Sequence, residues 1–278
     1  MNAASAPPEG RAHPAGGSRS RRVVQQTLLG AAGVAGLLLL WQLLPTTGLV
    51  NPAHFPEATS VLARFGTDLL DLEFWRNVGR TLASWGIGLL VSTVAALVAG
   101  TVVGMVPFLR RATHTLVEFL RPIPSVALIP LAVLSFGITM EAALVIIVFA
   151  SFWQVFVQVL YGVADIDAVA RDTARSYGLG RRAQLLRLVL PTALPYLVTG
   201  LRLAASVALI LAVTAEMTIG NPGLGNALML SYSNGDQAGV FAVVIATGLI
   251  GLVVNLIFGA VERRALFWHQ SVRSEDSA

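Results

Sequence analysis

Residues 165–195 read DIDAVARDTARSYGLGRRAQLLRLVLPTALP, a polar, arginine-rich segment set between two long apolar runs. Within it, apolar and polar residues fall at helical spacing, and Asp165 or Asp167 stands where a helix cap belongs. Gly178-Leu179-Gly180 is a turn signal, separating this helix from a second that begins near Arg181. Pro191 then opens the next apolar run. The segment reads as a folded connection outside a bilayer, and its flanks read as membrane spans. The expected fold class is therefore an all-α integral membrane protein.

Composition agrees. With 55% hydrophobic and 12% charged residues and a mean hydropathy of +0.72, the chain is too apolar for an ordinary soluble domain. It has no cysteine, which removes disulfides, thiol catalysis and cysteine-ligated metals. All 19 basic residues are arginine. Without lysine there is no Schiff-base chemistry and no Walker A phosphate loop, so any ATP that drives this chain binds to another one. His13, His54, His114 and His269 are scattered, and no nucleophile or paired carboxylates are clustered. No catalytic site, metal site or cofactor is expected. The arginines flank apolar runs rather than interleave with aromatics, so the high pI does not point to nucleic acid.

A hydrocarbon core of about 30 Å needs roughly 20 apolar residues per helix. Six windows approach this: Val23 to Leu44, Thr81 to Pro107, Thr113 to Phe136, Glu141 to Ala164, Pro191 to Ile219 and Ala238 to Val261. The third is the weakest, because Glu118, Arg121, Pro122 and Pro124 interrupt it. The tail of residues 1–22, rich in Ala, Pro, Gly, Ser and Arg, has no apolar periodicity and reads as disordered. Residues 23–262 form the membrane domain and 263–278 a second tail. An amphipathic stretch from Ala58 to Trp75 reads as an interfacial helix. Fourteen arginines lie in the two tails, the Arg110-Arg111 turn and the 165–190 loop, against Arg64, Arg76 and Arg80 on the other side. By the positive-inside rule both termini and the loop face the cytoplasm.

The loop resembles that of permease subunits of bacterial ABC importers, whose pattern is Glu-Ala-Ala, three residues, Gly, nine residues, Ile-x-Leu-Pro. Here it reads Asp172, Thr173, Ala174, Gly178, Leu188, Leu190 and Pro191, with Asp, Thr and Leu at 172, 173 and 188 departing from it. LRPIPSVALIPLAVLSFGI at 120–138, AEM at 215–217 and GLG at 223–225 are similar to the branch importing nitrate, sulfonates, taurine and bicarbonate. Related permeases serve thiamine-precursor and riboflavin-type uptake. The resemblance implies the six-helix type I importer permease fold in a bacterial cytoplasmic membrane. It also implies a homodimer, two separate ATPase subunits, an external solute-binding protein and alternating access. On that reading the Gly178 turn docks on the ATPase, with Arg175, Arg181, Arg182 and Arg187 as candidate contacts.

A pathway for an anion wants hydroxyls, amides or arginine. Ser151, Gln154 and Gln158 share one helical face, as do Thr199, Arg202 and Ser206, which makes these six the candidates. Glu118 and Arg121 are spaced to pair. Glu216 sits near the outer end of the fifth window, where a structural role is the leading reading. Ser92, Ala96, Gly100 and Gly104 mark a face that a neighbouring helix approaches closely. The rival is a channel or a secondary transporter driven by an ion gradient, which would have no use for the loop pattern.

Overall fold

The computed structural model describes residues 17–266, so most of both tails lies outside the described residues. Among the described residues the chain is helical, with no β-strand. Two units are distinguished, one through Ser60 and one from Val61.

In the first unit α1 (Gly17–Thr46) is apolar from Thr27 to Thr46. It begins at Gly17, inside the stretch expected to be a disordered tail. The connection after it folds back on its last turns. Trp41 Nε1 donates to the Pro56 carbonyl at 3.0 Å, and the Gln42 amide both donates to Glu57 Oε2 (3.0 Å) and accepts from Thr59 N (3.1 Å).

The second unit contains the packed core. After α2 (Ala58–Asp68) a turn intervenes, and α3 (Leu72–Met105) starts with Asp71 accepting from Glu73 N. The expected interfacial helix thus ends at Asp68, and Leu72 to Trp75 belong to the next span. A short helix α4 (Pro107–Leu120), a 3-10 turn (Ser125–Leu128) and α5 (Ile129–Phe136) follow, then α6 (Met140–Ala164). Next come α7 (Ala168–Ser176), α8 (Arg181–Gln184), a π-helical turn (Leu185–Val189), α9 (Leu190–Ile219), α10 (Leu224–Ser233) and α11 (Gln237–Ala265).

Helix α3 lies against α6, and the close face is the predicted one. A Cβ on Gly100 would stand 2.8 Å from Val159 Cγ1, and one on Gly104 would stand 2.9 Å from Val163 Cγ1. Ser92 and Ala96, between them and Gly88, are fully buried. Small residues let two backbones approach where lipid gives no hydrophobic drive to associate, so dispersion over a close contact holds the pair. Gly88 faces Ile147 and Gly104 faces Val163, the same interval in the same direction, so α3 and α6 run parallel. Helix α9 is antiparallel to α6: Gly162 meets Ala193, while Gly200 meets Gln158 and Val155. Ala204, Ala208, Ala212 and Ala215 of α9 are buried in this core.

Parallel neighbours require residues 106–139 to bring the chain back across. They do so as a broken pair: α4 and the segment from Ser125 to Phe136 meet at 84°. The third window is therefore not the single helix that was expected. Pro122 and Pro124 lack the amide hydrogens that would continue the helical ladder, so α4 stops at Leu120 although Arg121 still has helical backbone angles. Among the described residues five helices are long and apolar enough to cross a membrane, and six if the bent pair counts as one span.

The same topology sorts the arginines of the second unit. Arg110, Arg111, Arg171, Arg175, Arg181, Arg182, Arg187, Arg263 and Arg264 lie at the end that carries α7, and Arg64, Arg76 and Arg80 at the other.

Candidate functional site

Helix α7 is capped by Asp167, whose carboxylate accepts from Val169 N at 2.8 Å; Asp165, the other candidate, instead accepts from the Tyr196 hydroxyl. The helix closes on a Schellman arrangement, with Leu179 N donating to Ala174 O and Gly178 N to Arg175 O. That closure puts Gly178 at φ +70°, a conformation disfavoured for residues with a Cβ. Nothing stands within 4 Å of where its Cβ would be. The turn thus needs glycine for its backbone, and the space in front of it is open. Gln184 Nε2 fastens the turn by donating to Leu179 O at 2.7 Å, a bond no local pattern signals.

The second helix starts at Arg181 as expected but does not end. It passes through the π turn into α9, so one helical rod runs from the loop to Ile219. Pro191 cannot donate to the carbonyl four residues back, and the helix widens one turn ahead of it instead of breaking. Leu188 packs against the core, anchoring the rod, while Leu190 and Pro191 are partly exposed. Asp172, Thr173 and Arg175 are exposed on α7, with the Asp172 carboxylate 3.7 Å from Arg175. Arg182 and Arg187 are exposed too. Val169 (71% exposed) and Tyr177 (82%) share this surface and were not singled out from the sequence. Their signal was present: apolar residues in a segment too polar to meet lipid.

The six pathway candidates do not form one surface. Gln158 and Thr199 line an open cavity of about 520 Å³ together with Asp165, Thr192, Tyr196 and Glu262. Ser151 is fully buried in the helix core, and its hydroxyl has no partner. Gln154 is half-buried one turn further along α6. Arg202 is committed to α11, with Nη1 2.9 Å from Glu262 Oε2 and Nε 3.1 Å from Asn255 Oδ1. Ser206 is exposed and turned to its own helix, donating to the Arg202 carbonyl. Equal spacing places residues on one face but says nothing of depth, which the crossing helices decide. Likewise Glu118 stands 3.5 Å from His114 Nδ1 rather than pairing with Arg121.

At the opposite end of the rod Glu216 is 2% exposed. Its Oε2 accepts from the Thr81 hydroxyl (2.8 Å) and from Gly225 N (3.0 Å), and its Oε1 accepts from Ser84 at 3.4 Å. Thr81 in turn accepts from Leu224 N at 2.9 Å. One carboxylate thereby joins α3, α9 and the start of α10. The two glycines of GLG follow from it: a Cβ at Gly223 would collide with the Glu216 carboxylate, and one at Gly225 with the Val213 carbonyl. Outside the spans, Arg64 bridges Asp68 (2.9 Å) and Asp236 (2.8 Å). The hydrogen bond to Asp68, with the two negative charges, holds its pKa above the ordinary arginine value.

Residues 88–266 match the family of binding-protein-dependent transport system inner membrane components. The chain is 28% identical over 257 residues to the taurine transport system permease protein TauC of Escherichia coli (strain K12), covering 90% of this chain and 92% of that one. It is 28% identical to the nitrate import permease protein NrtB of Leptolyngbya laminosa, with 69% of each chain covered. It is 26% identical to the bicarbonate transport system permease protein CmpB of Synechococcus elongatus, covering 90% and 93%. Among solved structures, inward-facing conformations of the MetNI methionine ABC transporter share the fold at a TM-score of 0.61 and 20% identity, over 69% of this chain and 96% of that one. A bacterial ABC transporter importing the acidic polysaccharide alginate matches at 0.60 and 17% identity, over 89% and 99%.

Proposed function

The chain belongs to the family of binding-protein-dependent transport system inner membrane components, and on that premise we propose that it is the permease of an ATP-driven importer for a small anionic solute. The observation that carries the reading is the exposed α7–Gly178 surface, linked through Leu179 and Gly180 to an unbroken helical rod that carries the buried Glu216 in its last turn. A partner that moves α7 moves that rod, and the rod is fixed at its far end to α3 and α10. Closure of two ATPase subunits on a pair of such loops would tilt the α9 rods and open the far end toward a loaded binding protein. Hydrolysis would then reset the inward-facing state. A homodimer completes the pathway in this scheme, and hydrolysis occurs on the partner chains, since this chain has no lysine for a phosphate loop.

Support for the cargo comes from the relatives, whose names give taurine, nitrate and bicarbonate, all carrying an anionic group. The Gln158–Thr199 cavity near the loop end offers amide and hydroxyl groups for such a solute, with Asp165 and Glu262 limiting how tightly an anion is held there. Weak binding suits a pathway, which must release what it admits.

The arginine asymmetry supports a cytoplasmic position for α7. Because the chain has no cysteine, a single introduced thiol reports unambiguously. In intact cells Ser176→Cys resists a membrane-impermeant maleimide until the cells are opened, while Thr67→Cys labels at once. Labelling of Ser176→Cys from outside would reverse the orientation and remove the basis for ATPase docking.

A further inference from the structure

Helix α4 is turned inside out. Phe108 (75% exposed), Leu116 (55%) and Phe119 (71%) face away from the protein. Its polar residues face a cleft of about 190 Å³ against α6, lined by Arg110, His114, Glu118 and Arg121 with Tyr161 opposite. Arg110 and Arg121 are eleven residues apart, three helical turns, so they project on the same face about 16 Å apart at the backbone. Their long side chains both reach the one cleft. The acidic residue available to them, Glu118, is drawn to His114. Among the described residues no carboxylate pairs with Arg110 or Arg121.

Two unpaired guanidinium groups beside apolar helix walls are costly unless a counter-charge or water meets them. The cleft lies beside Val157 to Tyr161, within the last two turns of α6, and therefore near the α7 end of the bundle. Thr113, also on its wall, is spent on the Leu109 carbonyl, which leaves the two arginines, the His114 ring and the Tyr161 hydroxyl as donors, the arginines alone carrying a fixed positive charge. Arginine presents a planar fork of donors suited to oxygens of phosphate, sulfonate or carboxylate groups.

We propose that the α4–α6 cleft is a binding site for an oxyanion, gripped by Arg110 and Arg121. That chemistry has two sources, the phosphate of an anionic lipid at the leaflet on the α7 side and the anionic group of a solute leaving the pathway. The site stands on the geometry of α4 and does not depend on the importer reading.

The test uses the full chain in nanodiscs, without ATP or partner proteins, so failure of the importer reading does not affect it. One arm measures phosphatidylglycerol retained by the chain with native mass spectrometry. The other measures ethanesulfonate binding by saturation-transfer NMR in discs of phosphatidylcholine alone. The expected result is binding in one arm that falls by about tenfold in Arg121→Gln and in Arg110→Gln. It is largely kept in Arg121→Lys, which preserves the charge, and unchanged in Arg76→Gln, at the other end of the bundle. The responding arm identifies the source. Binding in neither arm by the wild-type chain, or binding that Arg121→Gln leaves intact, overturns the site.

Discussion

Gly178→Asp yields a normally inserted chain that no longer couples to its ATPase. The backbone at 178 is held at φ +70° by the two Schellman hydrogen bonds, so any side chain there costs about 1–2 kcal/mol of local strain, with Asp at the lower end. The cost falls on a turn outside the spans and leaves the packing of α3, α6 and α9 untouched. Because no described residue beyond its two chain neighbours lies within 4 Å of the missing Cβ, the substitution meets no internal clash there. On the proposed reading, what it obstructs is a partner fitted closely to the turn. Co-purification with the ATPase, or coupling of hydrolysis to uptake, should fall by at least about tenfold, with membrane insertion unchanged. Gly248→Ala is the matching control, since Gly248 also has nothing near its Cβ position but lies within α11. Full coupling in Gly178→Asp would reduce the loop to a plain helix connection.

Glu216→Ala produces the largest loss of stability in the core. It strands the Thr81 hydroxyl and the Gly225 amide in a buried site and leaves a void where three elements meet. An unsatisfied buried donor costs about 1–3 kcal/mol, and the void adds to it, for a total of about 3–5 kcal/mol. The apparent Tm of the detergent-solubilised chain should drop by about 10 °C. Glu216→Gln serves as the discriminating partner: its carbonyl accepts both bonds made to Oε2, and its amide can donate to Ser84, so its loss is about 1 kcal/mol. A melt in which the two variants fall equally would mean that Glu216 holds the node by charge rather than by these hydrogen bonds.

The span count and the segregation of arginine follow from composition and hydropathy, and the Gly178 turn from its spacing, because each depends on residues adjacent in the chain. Asp167 was one of two caps that spacing allowed, and only the geometry separates it from Asp165. The continuity of α8 into α9 was hidden because Pro191 reads as a boundary, while the π turn absorbs it without a break. Pro122 and Pro124 did warn of the broken third span, yet the 84° angle is set by how α5 packs on α6 and α9. The partners of Glu216 lie 135 and 132 residues away at Thr81 and Ser84, beyond any local pattern. For the pathway residues, helical spacing does not say which positions face the core, so Ser151 is enclosed while Gln158 opens on a cavity.

The central claim is that this chain moves solute only when a nucleotide-hydrolysing partner pulls on α7. Its most direct test is uptake of labelled taurine, nitrate and bicarbonate into proteoliposomes holding the chain, its ATPase and its binding protein. Uptake of one of these solutes that requires ATP and both partners, and that vanishes for the chain alone under a proton or sodium gradient, is the predicted result. Gradient-driven uptake by the chain alone, with no effect of ATP, would contradict the account and establish a secondary transporter.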